Sequence, residues 1–131
     1  MTKEELKNYI NIKKELEQIQ FRIKELNEKK TAIKSVIISD MNVQTSHNNN
    51  SLETILIKIE ECIEEYRKKE IELYEEQIKI EKCINSLETN ERIIMRLRYF
   101  DGYKWEKVCV ITNYSWEGIH KIHRKILKKI A

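Results

Sequence analysis

Within residues 115 to 128 the chain gathers Ser115, Trp116, Glu117, His120, Lys121, Arg124, Lys125 and Lys128. Steps of three and four residues place most of these side chains on one face of a helix. The set combines a carboxylate that accepts hydrogen bonds, cations that donate them, and aromatic rings. Such a strip suits a polyanion, and a single helix is thin enough to enter the major groove of DNA. Other chemistries fit less well. His120 and His123 are three apart, but no third metal ligand accompanies them. Cys62, Cys83 and Cys109 are odd in number and lack a CxxC spacing, so buried reduced thiols are expected. The chain shows no nucleophile with its base, no phosphate-cradling loop and no paired-carboxylate pocket, so the sequence predicts neither catalysis nor a cofactor.

The elements that must position this strip begin with the charge balance. Residues 1 to 90 hold 15 Lys and Arg against 18 Asp and Glu, whereas residues 91 to 131 hold 10 against 4. The overall net charge of +3 conceals that asymmetry, which assigns contact with a polyanion to the C-terminal 41 residues. Here the pattern predicts a helix from Glu91 to about Phe100, a turn at Asp101 and Gly102, a helix over 104–111, and a last helix from Trp116. Asn113 suits the left-handed joint between the last two helices. Ser115 suits the N-cap of the last one. Ile93, Ile94, Leu97, Trp105, Val108, Cys109, Ile119, Ile122, Ile126 and Leu127 fall on inward faces and are assigned to a core. That assignment disfavours binding to a membrane surface, because the apolar face of the last helix is already used. Arg96 and Arg98 fit either phosphate contacts or acidic neighbours.

Upstream, Tyr9, Ile12, Leu16, Ile19, Ile23, Leu26, Ile33 and Ile37 form a heptad-like seam. Residues 39–50 lose the periodicity and are rich in Asn and Ser, which predicts a linker. Asn50, with Glu53 three residues on, fits the cap of a second long helix. Its seam runs through Leu52, Leu56, Ile59, Ile63, Tyr66, Leu73, Ile80, Ile84 and Leu87, interrupted by Glu70 and Gln77. Two such helices can fold back as an antiparallel hairpin. The hairpin buries little surface alone and should seek a third layer, either a second copy, giving a dimer through residues 1–88, or the C-terminal head.

No proline and only two glycines in a chain that is 36% charged support an all-α fold. The expected division is a helical arm over 1–88 and a helix-turn-helix domain over 89–131. No signal peptide precedes the first helix, and no apolar run approaches the roughly 18 residues of a membrane span, so the expected compartment is the cytoplasm.

The segment LETNERIIMRLRYFDGYKWEKVCVITNYSWEGIHKIHRKILKKI resembles region 4 of the sigma-70 family, the module that reads the −35 promoter element. It is similar also, and more closely, to sigma-like phage regulators of the RinA and ArpU type, which join a helical arm to this head. The strong resemblance covers about a third of the chain. It implies a sequence-specific regulator of phage or prophage genes, acting as an activator on double-stranded DNA at the nucleoid of a bacterial host, with RNA polymerase as a further partner. By the same resemblance Trp116, Glu117, His120 and Lys121 contact base edges, and Ser115, Arg124, Lys125 and Lys128 meet phosphates. Trp116 stands where sigma factors often carry Arg, and Gly118 interrupts the recognition helix, so the −35 consensus is not carried over. A small terminase subunit joins the same two parts, usually with the DNA-binding head first, and an adaptor docking on RNA polymerase is a third reading.

Overall fold

The structure, a computed structural model, describes residues 1–39 and 45–131. It is all-helical, with no strand among the described residues: α1 (Lys3–Ser39), α2 (Thr45–Ile84), α3 (Thr89–Tyr99), α4 (Trp105–Thr112) and α5 (Trp116–Ile130). No helix of the described residues is long and apolar enough to cross a membrane. By contact, the chain divides into two compact units, Lys14–Ile71, and Met1–Lys13 together with Glu72–Ala131. The head boundary expected at residue 88 follows the helix break after α2, whereas the compact unit extends past it into α1 and α2.

In the unit Lys14–Ile71, α1 and α2 run antiparallel. Lys69 Nζ lies 3.0 Å from Glu15 Oε2, Gln20 Nε2 donates to Tyr66 Oη at 2.9 Å, and Arg22 lies 3.8 Å from Glu65. Leu16, Ile19 and Ile59 are buried between them. Polar pairs thus flank the buried apolar positions, and Glu70, expected to interrupt the seam, is exposed instead. The α2 seam departs from the expected one at a single position, where Ile55 is half-buried while Leu56 is 41% exposed, and Leu52, Ile59, Ile63 and Tyr66 keep their expected places. Ile55, Leu56 and Ile57 are consecutive, and three-to-four spacing cannot choose between neighbours in such a run.

The helix start also needs correcting. Asn50 does not cap α2 but lies inside it, its carbonyl accepting from Thr54 Oγ1 at 2.9 Å. Ser and Asn cost only tenths of a kcal/mol in a helix interior, less than a long, already nucleated helix gains by extending. Of the expected linker over 39–50, Ser39 ends α1 and residues 45–50 belong to α2, while 40–44 lie outside the described residues.

In the other unit, Leu6 and Tyr9 of α1, Ile80 and Ile84 of α2, Leu87, Met95 and Tyr99 of α3, and Ile126 and Ile130 of α5 form one core. A smaller core joins Ile94, Val108 and Ile119, with Leu97, Tyr103, Trp105 and Tyr114 around it. Ile122 packs against both. The third layer that the base of the hairpin needs is therefore the head itself. Ile93, assigned to the core, is 42% exposed, since its neighbour Ile94 takes the inward position. The three cysteines are free and half-buried rather than fully buried.

Further contacts fasten the head. Lys13 Nζ donates to the Phe100 carbonyl at 3.0 Å, and the Tyr9 and Phe100 rings meet at 4.8 Å. Gly102 adopts φ +72, and a β-carbon there would stand 3.4 Å from Ile10 Cδ1. The left-handed backbone is what asks for glycine at this turn, since the contact with Ile10 would be an ordinary van der Waals one.

Candidate nucleic-acid interface

The joint between α4 and α5 forms as its residue types require. Asn113 takes φ 62 and ψ 21, the left-handed conformation, and is the only non-glycine among the described residues with positive φ. Ser115 then caps α5, its Oγ accepting from the Gly118 backbone N–H at 3.0 Å. Gly118 now has a local reason, for a β-carbon at that position would lie 2.9 Å from Ser115 Oγ and press on the cap.

α5 turns Ile119, His123, Ile126 and Ile130 inward, where they are buried. Its opposite face leaves Ser115, Trp116, Glu117, Lys121, Arg124, Lys125 and Lys128 exposed. Trp116, Glu117, His120, Lys121 and Arg124 line one shallow depression on it. Among the described residues Lys121, Arg124 and Lys128 have no ion-pair partner. Each of the expected contact residues is thus gathered on one helix, with His120 the most enclosed. Its ring is wedged between Trp105, at 5.2 Å, and Trp116, at 4.4 Å, both edge-on. His120 Nε2 is buried without a hydrogen-bond partner. His120 thus packs against Trp116, which stays 52% exposed.

His123 faces the interior. Its Nε2 lies 2.7 Å from Tyr99 Oη in a buried hydrogen bond, and its ring rests 4.6 Å from Trp105. Burial, seconded by the charges of Lys3, Arg98 and His120, pushes its pKa down to about 4. Burial raises Tyr99 to about 12, against a smaller lowering by Arg98. At neutral pH both are uncharged, so a single proton bridges α3 and α5. Among the described residues no group of three or more His, Cys, Asp or Glu is placed to hold a metal.

The basic residues divide between scaffold and surface. Arg96 forms a two-pronged pair with Glu81, at 3.2 and 2.9 Å, which answers the choice between phosphate and acidic neighbour in favour of the latter. Its hydrogen bond holds the Glu81 carboxyl below the usual range, outweighing the opposing effect of burial. Arg98 donates to the Tyr103 carbonyl at 2.9 Å and lies over the Trp105 ring. Lys129 donates to both oxygens of Glu91, at 3.0 and 3.1 Å, and Glu91 Oε1 also accepts the Glu88 backbone N–H. Burial pushes the Glu91 carboxyl up, but the Lys129 and Glu88 hydrogen bonds with the Lys129 and Lys125 charges leave it below its ordinary value. Lys129 thereby belongs to the scaffold, whereas its neighbour Lys128 is exposed with no ion pair among the described residues.

His123, Met95 and the Glu91–Lys129 clamp escaped sequence reasoning. His123 carried a usable signal, standing four residues after Ile119 and three before Ile126, in step with the inward face. The clamp carried none, since its partners are 38 residues apart. Neither a scan against protein-family models nor searches of curated proteins and of solved structures find a match to this chain.

Proposed function

We propose that the protein is a sequence-specific DNA-binding regulator of transcription that lays α5 in the major groove. The observation that carries this reading is the division of α5: its apolar face is consumed by the two cores, while Glu117, Lys121, Arg124, Lys125 and Lys128 stay exposed. A helix so divided has a fixed orientation, and its outer face matches the groove in charge. Lys121 stands one turn after Glu117, so the two reach successive base edges, Lys donating to guanine and Glu accepting from cytosine. Arg124, Lys125 and Lys128 continue toward the phosphates, where contacts position without reading sequence. The similarity to sigma-70 region 4 and to sigma-like phage regulators supports transcription, and activation of phage or prophage genes, as the process served. Self-association places two heads on one site; the exposed Phe21, Ile38 and Ile57 in the unit Lys14–Ile71 support a dimer formed there. Selection from a random duplex library with the purified protein tests the reading. Recovery of a common sequence supports it, and recovery of unrelated duplexes with equal affinity contradicts it.

A further inference from the structure

Resting on the reading of α5 as a groove-entering helix, we infer that Trp116 is a specificity-determining residue that reads the C5-methyl group of a thymine. The first turn of a recognition helix is the part that approaches base edges. Here that turn offers the Trp116 ring beside Glu117, next to the left-handed joint at Asn113 and the Ser115 cap that fix where the helix begins. Trp116 is 52% exposed, an outlay of apolar surface that neither core uses. It is also held in place. His120 meets its ring at 4.4 Å, and Trp105 backs His120 at 5.2 Å, so two buttressing rings limit the freedom the indole would lose on binding.

The chemistry of the groove then narrows the target. Its floor presents donors and acceptors at every base pair but one apolar group, the thymine methyl. The indole has a single polar atom, a donor, and otherwise only apolar ring to offer. Glu117 and Lys121 line the same depression and supply the hydrogen bonding on either side, leaving the methyl group as the match for the ring.

Binding is measured on the duplex recovered by selection, with each thymine replaced in turn by deoxyuridine, which removes the methyl group and nothing else. One replacement is expected to weaken the wild-type protein about threefold to fivefold, the factor that burial of one methyl-sized group supplies. Trp116→Ala is expected to lose that discrimination, while Trp116→Phe and Glu117→Ala keep it. Wild-type protein indifferent to every replacement, a selected site without thymine, or a Trp116→Ala protein that still discriminates overturns this inference and leaves DNA reading by α5 standing. Absence of preference among duplexes overturns both. Where the alanine variant fails to fold, Trp116→Gln takes its place and is likewise expected to lose the discrimination, and a folded glutamine variant that still discriminates overturns the inference.

Discussion

Tyr99 Oη and His123 Nε2 stand 2.7 Å apart with both side chains buried, tying α3 to the inward face of α5. Removing one partner leaves the other buried and unpaired, which costs about 1–3 kcal/mol. Tyr99→Phe and His123→Leu are each expected to destabilise by that amount. Their combination is expected to cost less than the sum, with a coupling of about 1–2 kcal/mol in urea unfolding. Strict additivity would remove the bond from the account.

The same burial predicts a pH dependence. His123 sits near 4 in the folded protein against an ordinary 6.5, so between those values the unfolded chain binds the proton and the folded one does not. The full stability is present above 6.5 and falls as acid is added toward 4, by an amount on the order of 3 kcal/mol. The depressed carboxyls of Glu81 and Glu91 add losses at lower pH. Urea midpoints at pH 7.5, 5.5 and 4.5 test this. A flat profile from 7.5 to 5.5 contradicts it.

Lys128 and Lys129 are neighbours with opposite assignments. Lys129→Ala breaks the clamp on Glu91, a partly exposed pair, and should cost about 0.5–1 kcal/mol of stability with little effect on DNA affinity. Lys128→Ala should leave stability unchanged, weaken binding to every duplex, and lower the salt slope by about 0.9. Thermal melts and a salt titration of both variants separate the roles, and the reverse pattern would mean that α5 lies differently on its partner.

At the joint, Asn113→Gly is expected to be tolerated and Asn113→Val to destabilise by about 1–2 kcal/mol, because a β-branched side chain is strained at positive φ. Ser115→Ala should cost about 1 kcal/mol as the cap bond to Gly118 is lost. Equal stabilities of the valine and glycine variants in urea unfolding would contradict the left-handed joint.

The proposed dimer rests on the exposed apolar residues of the unit Lys14–Ile71, Phe21, Ile38 and Ile57 among them. Full-length protein is expected to sediment as a dimer at micromolar concentration, and Phe21→Glu with Ile57→Glu is expected to shift it to monomer with its helicity retained. Wild-type protein that stays monomeric at high concentration contradicts this.

What could be read from the residues was local. Asn113 and Ser115 declare the joint because few residue types accept a left-handed backbone or cap a helix, and α5 declares its faces because its charges and isoleucines alternate at helical spacing. Runs defeat such reading. Adjacent isoleucines at 93 and 94, and the triplet Ile55, Leu56 and Ile57, each fit the spacing in more than one register. The asparagine-rich stretch before Leu52 looked like a linker, yet α2 begins at Thr45. Pairings across the fold were not legible at all. Arg96 with Glu81 and Lys129 with Glu91 form between helices whose charges look alike in sequence, and only packing chooses among them.

The central claim is that Lys121 on the outward face of α5 reads bases rather than merely holding DNA. Affinities of wild type, Lys121→Ala and Lys128→Ala for the selected duplex and for random duplex, all at one salt concentration, test it directly. Lost base contacts cost about 1–3 kcal/mol on the preferred site alone, so Lys121→Ala should flatten the ratio between the two duplexes while Lys128→Ala lowers both affinities in parallel. A ratio unchanged in Lys121→Ala would contradict the account and take α5 out of the major groove.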